Sequence, residues 1–262
     1  RRGREYKKRK EEERFNATQA NIRELFSRLQ ATIDPIEQEE LKQNLEAAIN
    51  ELHRAIPQDK IDEIRELGRR INQGEDLIED LYNKLSAILC LDLLKQIEVR
   101  YDSWMMPDGR FMNADQHNRE VMNAFKLFGW ADEDKAYSYF NGRREQGKIP
   151  LDHRNFSETR AMFKTSLLEP EAAFTIALTY ALHDYGKMVS IGEHPEYGAR
   201  LAKSFLERLV ASEYAEQIAS DIEEHTSLSR VINGEASLRK VRSILSMGEE
   251  MWKRQAILRF ID

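Results

Sequence analysis

A histidine and an aspartate stand side by side at the end of an almost continuous apolar segment. His183 and Asp184 follow residues 172–182, in which nearly every side chain is apolar. Burying two polar side chains is costly unless a partner satisfies them. An adjacent imidazole and carboxylate can bind one divalent metal ion together, which offsets that cost. A core histidine beside a helix-end aspartate is the alternative, and it is the more common meaning of an isolated pair.

Two sequence runs around the pair favour metal binding over a core histidine beside a helix-end aspartate. The chain reads ALHDYGK over residues 181–187 and EHPEYGA over residues 193–199. Together they closely resemble the HD superfamily of metal-dependent phosphohydrolases, and the resemblance covers about residues 150–262. The pattern of that family is a His, a His-Asp pair and a distant Asp, all carried by helices around one or two metal ions. The resemblance implies a phosphohydrolase or phosphodiesterase that acts on a nucleotide or related phosphate ester through metal-activated water.

The first histidine and the last aspartate of that pattern have candidates in this chain. Asp262 follows the apolar segment 256–261 and fits the last aspartate. His153 begins a helix that a very short turn joins to the His183 helix, so the two histidines would face each other at nearly the same height. We therefore expect His153 to be the first ligand. His117 is the alternative, because its segment HNREVMNAF looks like the usual first helix of the family.

Two further histidines fit a second metal ion. His194 follows a loop after the pair, and His225 stands at the end of a helix. In the two-metal branches of the family, histidines in these contexts complete a second site. The expected metal ligands are therefore His153, His183, Asp184, His194, His225 and Asp262. Histidine-rich sites suit iron, manganese, nickel or cobalt, so one or two such divalent ions are the expected cofactors. His53 lies on a strongly charged helix and is expected to be solvated.

The expected catalytic residues are Asp184 and Lys187. A divalent ion lowers the pKa of a bound water and supplies hydroxide near neutral pH, and Asp184 would also orient that water. Lys187 would stabilise charge on the phosphoryl oxygens of the substrate. Arg154 and Arg160, on the helix that carries His153, are weaker candidates for phosphate contacts, because Arg pairs with phosphate through two hydrogen bonds. Surface ion pairs are the alternative for both arginines.

The elements that must position these residues are predicted to be helices. Over the first hundred residues, apolar side chains recur at spacings of three, four and seven, which places one apolar stripe on each helix. Such striped, highly charged helices pair with each other, or with a second copy of the chain as a coiled coil. We therefore predict an all-α protein. Residues 1–100 would form a helical bundle or coiled-coil stalk that dimerises or regulates, and residues 101–262 an HD-type hydrolase domain.

Composition argues against several classes of protein. The net charge is −6, with eight Lys or Arg and four Glu in residues 1–14. The sequence contains no basic patch interleaved with aromatic residues, so nothing in it indicates nucleic-acid binding. No apolar run is long enough to cross a bilayer, and no signal peptide is visible. The single cysteine, Cys90, suits a reducing compartment, so a cytoplasmic location is expected. Because the chain begins with Arg1, we expect a piece of a longer protein, such as the cytosolic part of a membrane-tethered one.

Two other functions fit the same residues. Some HD-fold enzymes use a six-ligand di-iron site to activate oxygen, and the six expected ligands are of suitable type. A signalling or scaffolding module with a silent metal site is the other alternative, because a helical stalk joined to an output domain is a common regulatory layout. No GYP run follows His225, which counts against cyclic-di-GMP as the substrate. The expected partner of the site is a small phosphorylated molecule or nucleotide.

Overall fold

Helices make up almost all of the part of the chain that is described. The computed structural model describes residues 2–99, 109–145, 151–232, 234, 237, 239, 242–243, 246 and 248–262. β structure within these ranges is limited to short bridges such as the antiparallel one between Glu98 and Asn113. The all-α prediction is therefore confirmed. The helices are α1 (Arg2–Ala31), α2 (Pro35–Ala55), α3 (Gln58–Asn72), α4 (Ile78–Leu89), α5 (Ala114–Trp130), α6 (Glu133–Glu145), α7 (His153–Ser166), α8 (Ala172–Leu182), α9 (His194–Leu206), α10 (Ser212–Glu224), α11 (Ser227–Ile232) and α12 (Glu249–Ile261), with short 3-10 helices at Leu91–Gln96 and Tyr185–Met188.

The long helices α1 and α2 pack against each other as a hairpin. Asp34 caps α2, because its Oδ1 accepts a hydrogen bond from the Ile36 N–H at 2.9 Å. Pro35 takes the first helical position, where the N–H that it lacks would have no partner within the helix. The apolar stripe predicted for α1, from Phe15 to Leu29, is buried against the rest of the chain. A coiled coil with a second copy stays a prediction.

Helices from the first hundred residues also contact helices further along the chain. α2 packs on α9, α3 on α8, and α4 on α5. The contact between α3 and α8 is close, since a Cβ added at Gly68 would lie 2.5 Å from the ring of Phe174. The buried apolar side chains of these helices form one continuous cluster. The predicted domain boundary at residues 100–101 lies outside the described residues.

Helix α8 packs among the other helices of the second half of the chain. It contacts both α5 and α10, while α10 also packs on α9 and α12. Nearly all of its side chains are buried, as its apolar sequence predicted. It has only 11 residues. Among the described residues, no helix combines the length and the apolar character that a membrane span requires.

Candidate metal centre

Six histidine and aspartate side chains meet where the ends of five helices converge. His117 lies in the first turn of α5, whose start is fixed by a capping box between Asn113 and Gln116. The other five stand at or just beyond helix ends: His183 and Asp184 after α8, His194 at the start of α9, His225 after α10 and Asp262 after α12. Five of the six are buried, and the Asp262 side chain is 20% exposed. The site therefore depends on the mutual packing of α5, α8, α9, α10 and α12.

Three of the histidines have their tautomer fixed by the chain segment that carries them. In His183, His194 and His225, Nδ1 lies 2.6–2.7 Å from the main-chain carbonyl oxygen of the residue three positions earlier. A carbonyl oxygen only accepts hydrogen bonds, so Nδ1 carries the proton and donates it. Nε2 is left with a free lone pair, which is the form in which imidazole binds a metal ion.

The first group consists of His117, His183 and Asp262. The Nε2 atoms of the two histidines are 3.3 Å apart. Oδ1 of Asp262 lies 3.0 Å from Nε2 of His117 and 3.8 Å from Nε2 of His183. Adjacent donors that each bind one ion at about 2.1 Å are roughly 3.0–3.4 Å apart. The spacing of this group is therefore close to that of ligands around a single ion.

The second group consists of Asp184, His194 and His225. The two Nε2 atoms are 3.1 Å apart, and Oδ1 of Asp184 lies 3.4 Å from that of His194 and 3.9 Å from that of His225. Two imidazole lone pairs that face each other repel unless a cation lies between them. Burial lowers the pKa of His225 to about 3 and also lowers the pKa of His194, so a proton is not that cation near neutral pH. The donor set of this group therefore fits a metal ion.

Asp184 joins the two groups. Its Oδ1 faces the second group, while its Oδ2 lies 3.6 Å from Nε2 of His117 and 3.7 Å from Nε2 of His183. The same Oδ2 accepts a hydrogen bond from Nζ of Lys187 at 2.6 Å, and both side chains are buried. One carboxylate thus presents one oxygen to each of the two adjacent groups.

The two carboxylates stay ionised in this buried setting. Burial by itself would raise the pKa of Asp184, but the positive charge of the neighbouring Lys187 ammonium opposes burial most strongly, and the pKa lies well below its usual value. Burial would also raise the pKa of Asp262, but its close contact with His117 outweighs burial and holds the pKa below its usual value. Ionised carboxylates are the form that binds cations. Both residues are therefore ready to act as ligands at neutral pH.

Two glycines allow a close approach of the segments that carry Asp184 and His194. A Cβ added at Gly186 would lie 2.0 Å from the carbonyl oxygen of His194 and 2.4 Å from the main-chain nitrogen of Gly198. A Cβ added at Gly198 would lie 3.0 Å from the side chain of Ile222 and 3.4 Å from the nitrogen of Gly186. The turn after Asp184 and the start of α9 therefore touch through their backbones. This contact brings His194 up to Asp184.

His153 does not join the six residues, and the expectation that it faces His183 is corrected. It is exposed at the start of α7, with its ring centroid 4.5 Å from that of Tyr137. Helix α7 packs on α5 and α6, so the short connection to α8 does not carry His153 to the far end of α8. The structure places the alternative candidate, His117, beside His183 instead.

The two arginines considered for phosphate binding also lie elsewhere. Arg154 is exposed, and its Nε donates to Glu158 at 2.8 Å. Arg160 is buried, and its guanidinium donates to the carbonyl oxygen of Phe128 at 2.8 Å and to that of Ala131. These carbonyls belong to the end of α5, where main-chain acceptors have no partner within the helix. Arg160 therefore caps α5, and neither arginine lies among the six clustered residues.

His53 was expected to be solvated because its helix is strongly charged, but the structure buries it. Its ring is 1% exposed, and Nε2 lies 3.1 Å from the hydroxyl oxygen of Tyr185, the neighbour of Asp184. The helix α2 contacts both α1 and α9, so it buries a wider face than its single apolar stripe indicates. The sequence signal that could have predicted this burial is the position of His53 directly after Leu52, which belongs to the apolar stripe of α2.

No family model, curated protein or solved structure matches the chain. What the chain itself provides is two adjacent buried groups of His and Asp side chains. Each group is able to hold a metal ion.

Proposed function

We propose that this chain is an HD-type, metal-dependent phosphohydrolase that cleaves a phosphate ester of a nucleotide or a related small molecule. The observation that carries the proposal is the arrangement of six side chains in two groups that share Asp184. A shared carboxylate supports a pair of ions rather than one. Donor sets of imidazole and carboxylate suit iron, manganese, nickel and cobalt.

The charge around the centre supports an anionic substrate. Two divalent ions and the Lys187 ammonium would bring five positive charges to a site to which the described residues contribute two carboxylates, Asp184 and Asp262. Three positive charges would remain, and burial makes uncompensated charge expensive. Hydroxide and phosphoryl oxygens are anions that would balance them. A purely structural metal site has no need of a buried ammonium beside its ligands.

Asp184 and Lys187 have distinct roles in the proposed hydrolysis. Bound divalent ions would supply a hydroxide nucleophile from water near neutral pH. Asp184 holds the two ligand groups together and balances their charge. Lys187 stabilises negative charge on the phosphoryl oxygens. Water oxygen forms a bond to phosphorus, the ester P–O bond breaks, and the leaving oxygen takes up a proton.

Metal content and turnover, measured on the same preparation, test the proposal. We expect about two divalent ions per chain by elemental analysis, together with hydrolysis of bis(4-nitrophenyl) phosphate or of a member of a nucleotide panel. Asp184→Asn should abolish turnover and reduce metal content to below about one ion per chain, while the protein stays folded by circular dichroism. His153→Ala is the matched control, because this exposed histidine lies outside the two groups. A folded wild-type protein that binds no metal would refute the proposal.

A di-iron oxygenase is the second candidate, because six His and Asp ligands with a shared carboxylate also suit a pair of iron ions. Purification without oxygen, followed by an optical spectrum before and after exposure to air, separates the two. A hydrolase should show turnover that is independent of oxygen and equal under argon. An oxygenase should consume oxygen in the presence of its substrate and show spectral changes of the iron. A metal-loaded protein with neither activity would indicate a silent signalling module.

A further inference from the structure

A row of polar contacts joins α2 to α9, the helix that begins with His194. Near one end of the row, Nε of Arg200 donates to Glu46 at 2.5 Å. One turn further along, the Ser204 hydroxyl donates to Oδ1 of Asn50 at 3.2 Å. His53 follows, with Nδ1 2.8 Å from the same serine oxygen. The row thus fixes how α2 and α9 lie against each other.

The direction of the hydrogen bonds at His53 follows from its neighbours. The single proton of the Ser204 hydroxyl goes to the amide oxygen of Asn50, so the serine oxygen must accept from Nδ1–H of His53. Nε2 of the neutral ring is then an acceptor, and the Tyr185 hydroxyl donates to it at 3.1 Å. Tyr185 is fully buried and His53 is 1% exposed. Both groups are therefore shielded from bulk solvent.

Tyr185 connects this row to the metal centre. It lies between Asp184 and Gly186 in the chain and begins the 3-10 helix Tyr185–Met188, which also contains Lys187. The backbone of this short helix touches the start of α9 at Gly186. A rotation of the turn would therefore move the Asp184 carboxylate and the Lys187 ammonium together. The hydrogen bond from Tyr185 to His53 opposes that rotation.

We propose that His53 is a positioning residue for the metal centre, because through the Tyr185 hydroxyl it fixes the orientation of the turn that carries Asp184 and Lys187. This inference rests on the proposed function, since it requires that metal ions bind at the two groups. It gives helix α2 a role in the reaction that its charged, striped sequence does not reveal. A residue that only stabilises the fold would affect the free energy of unfolding and leave the bound metal unchanged.

The test titrates metal-free full chain with Mn²⁺ and follows free and bound ions by electron paramagnetic resonance. Wild-type protein should bind about two equivalents and show the signal of two magnetically coupled ions. His53→Phe should bind Mn²⁺ about tenfold more weakly and lose much of the coupled signal, because groups that orient ligands from behind change metal affinity by about 10–100-fold. Arg200→Gln removes a contact of the same row that does not reach Tyr185, and it should bind as the wild type does.

Tyr185→Phe removes a single oxygen and provides a second route to the same result. It should weaken Mn²⁺ binding as much as His53→Phe does. The double variant should bind Mn²⁺ no more weakly than the single variant with the lower affinity, since both substitutions remove the same interaction. If His53→Phe does not fold, Tyr185→Phe decides the question alone. Wild-type protein that binds no Mn²⁺ would overturn the proposed function together with this inference. Unchanged affinity and an unchanged coupled signal in folded variants would overturn this inference alone.

Discussion

The contact between the turn after Asp184 and the start of α9 makes Gly186→Ala a sharp test of the site. The new Cβ would lie 2.0 Å from the carbonyl oxygen of His194, and ordinary contact begins near 3.4 Å, so the two segments must separate by about 1.4 Å. Ligand positions in metal sites tolerate only about 0.2 Å. The second ligand group, which contains His194, should therefore lose its ion.

The same separation should lower stability. Forcing an extra carbon into a packed region costs about 1–3 kcal/mol, and here the clash is with backbone, so we expect the upper end. A loss of about 3 kcal/mol lowers Tm by roughly 6–12 °C for a chain of this size. Metal content by elemental analysis and thermal unfolding by circular dichroism measure the two effects. Gly192→Ala is the matched control in the same loop, because nothing lies within 4 Å of an added Cβ there.

Unchanged metal binding by Gly186→Ala would contradict this reasoning. If Gly186→Ala binds metal with the stoichiometry and affinity of the wild type, the close approach of the two backbones does not set the ligand spacing. The two-group geometry would then be wrong as an account of metal binding. A variant that is destabilised yet keeps both ions would show that packing and metal binding are independent at this point.

Three further predictions concern individual ligands and one buried ring. Asp184→Asn should reduce metal content to below about one ion per chain by elemental analysis, because it removes the charge shared by both groups. His117→Ala should lose the ion of the first group while His153→Ala keeps both, as measured by titration with Mn²⁺. Burial lowers the pKa of His53 from 6.5 to about 3, so the unfolded chain takes up a proton in that window that the folded protein does not. Stability of the metal-free protein should therefore fall with decreasing pH, and His53→Gln should reduce the slope by up to about 1.4 kcal/mol per pH unit in urea unfolding.

The sequence indicated five of the six clustered residues because their local context is distinctive. His183 and Asp184 end an apolar helix, and the resemblance of the surrounding sequence to the HD superfamily then singled out His194, His225 and Asp262. All-helical structure followed from the apolar period in the same way. Whether these residues bind metal stays a prediction, although the structure brings their side chains together.

The first histidine could not be chosen because the choice depends on which helices touch. The short connection between α7 and α8 suggested neighbouring antiparallel helices, but connection length does not fix the packing partner. Aromatic side chains of α7 lie against α5 instead, with the ring of Phe163 5.0 Å from that of Phe128. Arg160 adds its hydrogen bonds to the end of the same helix. Such contacts are decided by the shapes of side chains distant in sequence, which periodicity does not encode.

The hydrogen bonds from Nδ1 of His183, His194 and His225 to their own backbone have a consequence for how metal would enter. Each ring is held at a fixed angle before any ion arrives, so the loss of side-chain freedom accompanies folding rather than capture. Arriving ions would meet donors that need little rearrangement. Uptake should then be limited by the route through the surrounding helices, and the loaded and metal-free chains should share one backbone conformation.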